Sequence, residues 1–257
     1  MSGDVEVSIA DGVQILRLTR AAKKNALTGP MYATLCNAIE KGDEDGAVAA
    51  HVIVGSGGVF TAGNDLGDFL ATAQGTGDLG NDVLRFIRLL PVVRKPLIAA
   101  VDGQAVGIGT TMLFHCDLVY ATPGSNFATP FLDLGLIPEA ASSLLMTERM
   151  GYARAFEMLV LGEVFTAEQA VATGFVNKIV PSTDLEAVAF AAARRLAGKP
   201  PEALAISRRL MRGDQAPILE RTDVEVEMFR KRLNSPEALE AFTAFFEKRP
   251  PKFRKPV

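Results

Sequence analysis

Two stretches of this chain set a strand, a run of small residues and a helix in immediate succession, and they constrain the fold more than any other feature. The first is Val59-Phe60-Thr61-Ala62-Gly63-Asn64-Asp65-Leu66, which follows an apolar strand and leads into a helix that Asp65 is placed to cap. The second, Val101-Asp102-Gly103-Gln104-Ala105-Val106-Gly107-Ile108-Gly109, joins a buried strand to the apolar run Thr111-Met112-Leu113-Phe114. At such a junction the first N–H groups of the helix have no intrahelical partner and can point at an anionic oxygen. Taken singly, either set of glycines is explained by a tight turn and close helix–strand packing. The second is no Walker loop, because it lacks Gly-Lys-Ser/Thr. Its G-x-x-x-G-x-G spacing, with no acidic residue ending a second strand about 20 residues later, is also a poor dinucleotide fingerprint.

The surrounding pattern is mixed. Val5, Val7 and Ile9, then Val13 and Ile15, alternate about Asp11-Gly12, which predicts a hairpin with a two-residue turn. The apolar phase slips to Leu16 and Leu18, which predicts a bulge or a strand end there. Helices are expected over 29–41 and 81–90, the second stopped by Pro91, and strands over 51–54, 96–101 and 117–121. Beyond about residue 140 helices dominate, at 144–150, 153–161, 167–172, 185–196, 201–211, 218–233 and 236–246, with a strand-like break at 176–180. Strands and helices first and helices later predict an α/β core, residues 1–198, and a C-terminal helical region, 199–257, divided at Gly198-Lys199-Pro200-Pro201.

Size and charge narrow the function classes. A chain of 257 residues buries a substantial core, and its net charge of −3 exerts no general pull on nucleic acid or anionic membranes. No apolar run approaches the roughly 18 residues of a membrane span. Cys36 and Cys116 stand far apart without C-x-x-C spacing, so neither a disulfide framework nor a zinc site is expected. The opening residues, with Asp4 and Glu6, do not read as a signal peptide, and the ending Lys255-Pro256-Val257 is not a peroxisomal address of the S-K-L type. A reducing compartment, the cytoplasm, is the expected location.

Taken together the two junctions resemble those of the crotonase, or enoyl-CoA hydratase/isomerase, superfamily, and the likeness runs over nearly the whole chain. Lys24-Asn25-Ala26-Leu27 resembles the family's opening loop, and Phe60 to Leu66 its first oxyanion loop. Lys95-Pro96-Leu97-Ile98-Ala99-Ala100-Val101-Asp102-Gly103 leads into the second. Gly135-Leu136-Ile137-Pro138, Gly174-Phe175-Val176-Asn177 and Phe246-Glu247-Lys248-Arg249-Pro250 follow in order. The resemblance implies a spiral of ββα repeats with C-terminal helices used for trimerisation, as a homotrimer or hexamer. It implies an acyl-CoA thioester substrate, CoA arriving as part of that substrate, with no metal and no separate cofactor. By position, the N–H groups of Asn64 and Ile108 would hold the thioester oxygen. Lys24, Ala26, Ala62, Gly63, Asn64, Asp65, Leu66 and Ile108 would bind the substrate. Ile108 stands where glycine is usual, but a backbone donor leaves its side chain free to vary.

Hydration across a C=C bond calls for two acid/base groups. The two glutamates of hydratase-like relatives fall here on Thr111 and Phe131, so both carboxylates are missing. A double-bond shift needs one, and the candidate is Glu139 in Ile137-Pro138-Glu139-Ala140-Ala141-Ser142-Ser143, a run resembling the Δ3,Δ2-enoyl-CoA isomerase branch. An acidic residue beside proline in a helix's first turn ordinarily complements the helix dipole. That effect is worth about 0.3–1 kcal/mol, whereas burial among Leu136, Ile137, Ala140 and Ala141 moves a carboxyl by up to several pKa units. The expectation is therefore an enoyl-CoA isomerase of fatty-acid metabolism. Hydration with an ordered water, another crotonase-type reaction, and a non-catalytic acyl-CoA-binding oligomer are the alternatives.

Other residues have plainer readings. Asp133 is expected at a strand edge or as a local cap, His115 and His51 as structural histidines, and Phe245-Phe246 in a helix interface. The basic run Lys248, Arg249, Lys252, Arg254 and Lys255 is a solvated tail or, like Lys24, a partner for CoA phosphates. The segment 70–84, with Gly75, Gly77 and Gly80, is expected to shape the acyl pocket. No G-x-S-x-G is present to make a serine-hydrolase elbow.

Overall fold

The computed structural model describes residues 3–73 and 80–253. Asp11 and Gly12 both take positive φ, 52° and 76°, and close β1 (Val5–Ala10) on β2 (Val13–Leu18) as a hairpin with Ala10 opposite Val13. The chain continues through α1 (Gly29–Glu44), β3 (Ala50–Gly55), α2 (Leu66–Ala73), α3 (Asn81–Leu89) and β4 (Leu97–Val101). Pro91 converts the end of α3 into a short 3-10 turn, since proline has no N–H to continue the helix. Then come β5 (Gln104–Val106), α4 (Ile108–Thr111), β6 (Leu118–Ala121), β7 (Asn126–Ala128), α5 (Ser142–Met150), α6 (Tyr152–Leu159), β8 (Phe165–Thr166), α7 (Ala167–Ala172) and β9 (Lys178–Ile179). The last helices are α8 (Leu185–Ala197), α9 (Pro201–Arg212), α10 (Ala216–Leu233) and α11 (Pro236–Phe246).

The large sheet has the order β1-β2-β3-β4-β6-β9, and the small one β5-β7-β8. Every neighbouring pair of the large sheet after the hairpin is parallel. Successive turns of chain lay one strand in each sheet, β4 then β5, and β6 then β7. After β3 the turn is shorter, and Thr61 joins the small sheet by a parallel bridge to Ala105. This is the expected spiral of strand, strand and helix.

Parallel strands covered on both faces need apolar residues on both, and β3 and β4 are buried along almost their full length. Leu16, Leu18, Ile53, Leu97, Ala99 and Val101 face the main core. Val13, Val52, Val54, Ile98 and Ala100 face the opposite way, against Leu185, Ala189 and Ala193 of α8. The same geometry corrects the bulge expected near Leu16. β2 pairs with β1 in unbroken register from Val13 to Leu18, where the strand ends as the alternative expectation had it, and its apparent phase slip marks an inner strand packed on both faces.

On the other side, α10 packs on α2, α3 and α5, while α11 packs on α2 and on the turn Leu132–Leu134. Phe245 and Phe246, expected inside a helix interface, are 57% and 50% exposed and meet only edge-to-face. Asp133 lies exposed on the Leu132–Leu134 turn instead of at a strand edge.

Candidate active site

Three loops are laced together where the two glycine-rich junctions meet the opening loop. The Ala62 N–H donates to the Lys24 carbonyl (2.9 Å), Leu27 N–H to Gly63 (2.8 Å) and Asp65 N–H to Leu27 (3.0 Å). On the other side Thr61 N–H donates to Gln104 and Val106 N–H to Thr61, both at 3.0 Å. Asn25, buried at φ 52°, ties the first loop down by donating from Nδ2 to the carbonyls of Ser56 and Val59. Gly63 is the contact point. Its φ is +86°, and a Cβ there would lie 2.6 Å from the Val106 carbonyl oxygen and 3.8 Å from Gly107 Cα. No side chain fits, and the backbones of Gly63 and Gly107 therefore touch.

The residues next in line are Asn64 and Ile108. The bridge between the 27 and 64 positions uses both backbone groups of Leu27, so the Asn64 N–H is turned away from that strand. Among the described residues neither the Asn64 nor the Ile108 N–H has a hydrogen-bond acceptor. Ile108 opens α4 directly after Gly107 (φ 56°), and its side chain is buried in the core. The Asn64 side chain accepts a 2.6 Å hydrogen bond from the buried Tyr32 hydroxyl. Asp65 caps α2 as expected, accepting the Gly67 N–H at 2.9 Å, and pairs with Arg20 at 2.8 Å. Ala26 and Ala62 are half-buried in the laced loops, and Leu66 packs against the main core.

Glu139 is 6% exposed and lines a small cavity with Asn64, Val83, Leu84 and Ile87 of α3, and Val226 and Phe229 of α10. It does not sit in a helix's first turn. It precedes α5 by three residues, ahead of two buried alanines in left-handed conformation, Ala140 (φ 56°) and Ala141 (φ 55°). The Thr111 hydroxyl donates to Glu139 Oε1 at 2.6 Å, and Glu139 is the one carboxyl group lining the cavity among the described residues. Burial pushes the Glu139 carboxyl from 4.5 up to about 8. The Thr111 hydrogen bond pulls it back, and the nearby Glu225 carboxylate pushes it further up.

The structure thus brings Asn64 and Glu139 to one cavity and ties α4, which begins at Ile108, to Glu139 through Thr111. Ile108 itself does not line that cavity. Lys24 is exposed on the outer side of the opening loop. In the basic tail, Arg249 is engaged by Glu240 and Glu247, both at 2.6 Å, which leaves it a structural ion pair. Arg254 and Lys255 lie outside the described residues, as do Gly75 and Gly77 of the segment expected to shape the pocket. His115 is buried with Nε2 on the Ala140 carbonyl (2.8 Å), and burial lowers it to about 4, as suits a core histidine. Sequence reasoning missed Glu225, and also Val226 and Phe229, because α10 reaches the cavity only by tertiary packing. A larger cleft beside α9 holds none of the expected site residues, and its Arg208 is committed to Asp117 at 2.9 Å.

Known proteins share this fold. Residues 8–256 match the family model described as enoyl-CoA hydratase/isomerase. Enoyl-CoA delta isomerase 2 of Rattus norvegicus is 34% identical over 254 residues, which are 97% of this chain and 65% of that protein, so the chain spans somewhat under two thirds of that relative. The 2,3-dehydroadipyl-CoA hydratase of Escherichia coli (strain K12) is 31% identical, over 96% of this chain and 97% of that one. The crystal structure of an enoyl-CoA hydratase/isomerase from Pseudoalteromonas atlantica T6c superposes with a TM-score of 0.92 at 36% identity, covering 98% of this chain and 100% of that chain. With the family model matched over nearly its whole length and the fold shared with that structure, the chain belongs to the enoyl-CoA hydratase/isomerase family of the crotonase superfamily.

Proposed function

We propose that this protein is a Δ3,Δ2-enoyl-CoA isomerase. One observation carries the reading: Glu139 faces the cavity as its only carboxyl group among the described residues, with Thr111 hydrogen-bonded to it where a second catalytic glutamate would stand. Glu225, the other buried carboxyl nearby, does not line that cavity. One acid/base group suffices to move a proton between two carbons, whereas adding water across C=C calls for two.

In the proposed reaction the thioester oxygen of a 3-enoyl-CoA accepts hydrogen bonds from the N–H groups of Asn64 and Ile108. The Glu139 carboxylate takes the C2 proton, and the C–H electron pair moves onto that oxygen as an enolate conjugated with the C3=C4 bond, which makes C4 nucleophilic as well. Losing one such donor typically costs ~10²–10³ in rate, so the pair is a principal catalytic term. Glu139 then returns the proton to C4, leaving the conjugated 2-enoyl-CoA and its own carboxylate restored. A carboxyl at about 8 is close to the operating pH, where a general base that must also act as acid is most effective. Val83, Leu84, Ile87, Val226 and Phe229 supply an apolar wall for the acyl chain. CoA enters with the substrate and no further cofactor is needed. Self-association into trimers or hexamers is part of the proposal; α9 presents Leu210 and Met211 to solvent in the single chain.

The test is turnover of 3-hexenoyl-CoA and of crotonyl-CoA by the pure protein, followed by the ultraviolet absorbance of the conjugated thioester. Conjugation of the first without hydration of the second is the expected result, and Glu139→Gln should lower it on the order of 10²–10⁴-fold. Rapid hydration of crotonyl-CoA, or a Glu139→Gln variant with near-normal turnover, would overturn the assignment.

A further inference from the structure

α10 carries a buried carboxylate that this reaction does not use. Glu225 is 4% exposed, and its Oε1 accepts from the Ser143 hydroxyl (2.5 Å) and the Ser143 N–H (3.1 Å). The Ala141 N–H faces the same carboxylate, and Arg221 donates to the Ser143 hydroxyl oxygen at 3.0 Å. Glu225 Oε2 is buried without a hydrogen-bond partner among the described residues. A carboxylate is held in such a place at a desolvation cost, which asks for a reason.

The groups it holds belong to the turn that presents Glu139. Left-handed backbone is sterically disfavoured for residues with a Cβ, and Ala140 and Ala141 both adopt it in succession. Such a conformation persists only where the surroundings over-determine it. Here the His115 ring N–H holds the Ala140 carbonyl, the Ser142 N–H bonds the Glu139 carbonyl at 3.1 Å, and Glu225 takes the N–H groups at the start of α5. The residue at the helix N-cap is Ala141, which has no side-chain acceptor of its own. Glu225 performs from α10 what a capping aspartate would do from within the helix, where a negative charge also complements the dipole.

We propose that Glu225 is a positioning residue, its carboxylate capping α5 and clamping the left-handed Ala140-Ala141 turn so that the Glu139 side chain faces the cavity. The proposal rests on Glu139 being the acid/base group. The groups facing Glu139 are the Thr111 hydroxyl, the Tyr32 phenol and the Glu225 carboxylate; those facing Glu225 are the Ser143 hydroxyl and N–H, the Ala141 N–H, Arg221 and Glu139 itself. Removing the Glu225 charge therefore lowers the pH at which Glu139 ionises, while removing its acceptor atoms frees the turn.

Two variants of the full chain separate these effects. Glu225→Gln keeps an oxygen for the α5 N–H groups but not the charge. Its plateau kcat should stay near wild type, while the acid limb of the pH profile and the carboxyl titration of Glu139 both move to lower pH. That titration is read by carbon-13 NMR of labelled glutamate, assigned with Glu139→Gln. Glu225→Ala also loses the acceptors, and its kcat should fall on the order of 10²-fold with KM little changed, as expected when a reacting group is misplaced. Should the alanine variant not fold, as judged by circular dichroism, Glu225→Gln decides through the titration alone. An unmoved Glu139 titration in Glu225→Gln, or wild-type kcat in a folded Glu225→Ala, would overturn the proposal. The NMR reading needs no turnover, so it stands even where wild-type protein fails to isomerise 3-hexenoyl-CoA, a result that would count against the isomerase reading by itself.

Discussion

Replacing Glu139 by glutamine should stabilise the protein, and by more as pH rises. In the folded chain the carboxyl binds its proton up to about 8, against 4.5 for the ordinary group. Between those values the native state holds more protons than the unfolded state, so wild-type stability falls as pH rises through the window and levels off above about 8. At about 1.4 kcal/mol per pH unit, the interval from 4.5 to about 8 amounts to roughly 5 kcal/mol, of which about 3 is already lost at pH 7. Glutamine stays neutral throughout and can still accept from the Thr111 hydroxyl. Glu225, raised by its own burial, and His115, lowered by its burial, are present in both proteins and largely drop out of the comparison. Urea unfolding of both proteins at pH 5, 7 and 9, at one protein concentration, reads the gap directly. It should widen by about 4 kcal/mol from pH 5 to pH 9. A gap independent of pH would refute the claim that Glu139 is held protonated by burial.

Two further substitutions test the laced loops and the tuning of the base. Thr111→Val removes a hydrogen bond that favours the charged carboxyl, so Glu139 should titrate above about 8 and kcat/KM at pH 7 should fall roughly 10- to 100-fold, given ~1.5–3 kcal/mol for a bond to a charged group. A pH–rate profile with an unmoved acid limb would contradict this. Gly63→Ala meets the Val106 carbonyl at 2.6 Å in a left-handed conformation, so thermal unfolding should show a loss of more than ~1–2 kcal/mol together with lost turnover. Gly58→Ala, also at positive φ but with nothing within 4 Å, is the control and should lose only the conformational part.

Much of the architecture was legible because it is written locally. The Asp11-Gly12 turn needs two positive φ values, and Pro91 ends α3 where it stands. The helices after residue 140 follow their apolar spacing to within a few residues. Glu139 was legible for a different reason: apolar neighbours on both sides foretell burial, and burial is what shifts its proton. What failed was anything decided by which surfaces meet. The alternation of β2 was misread at Leu16 because an inner strand has no solvent face to alternate against. Phe245 and Phe246 are apolar, yet about half of each side chain is left exposed among the described residues. Glu225 lies in a stretch rich in charge, Glu220, Asp223, Glu225 and Glu227, and looks like part of a solvated face. A signal was there. Thr222, Val226, Phe229 and Leu233 form the buried stripe of α10, and position 225 is one turn before Phe229 on that stripe. A carboxylate on the apolar stripe of a helix is a tertiary contact announced in advance.

The position of Thr111 then explains how this family scaffold can be set for one chemistry over another. The residue lies within hydrogen-bonding reach of Glu139, at a cavity whose described lining holds no cation to neutralise a second carboxylate. A glutamate there would couple two buried acids so tightly that only one could ionise, with the shared proton belonging to the pair. That is useful where one acid must activate water while the other handles carbon, and a handicap where a single group must give back the proton it has just taken. A hydroxyl avoids the second charge. It donates to the carboxylate, moderates the effect of burial and adds no proton of comparable acidity. On the isomerase reading, the replacement of one carboxylate by threonine leaves a single base with its ionisation near neutrality, and the buried charge of Glu225 acts on it from outside the cavity.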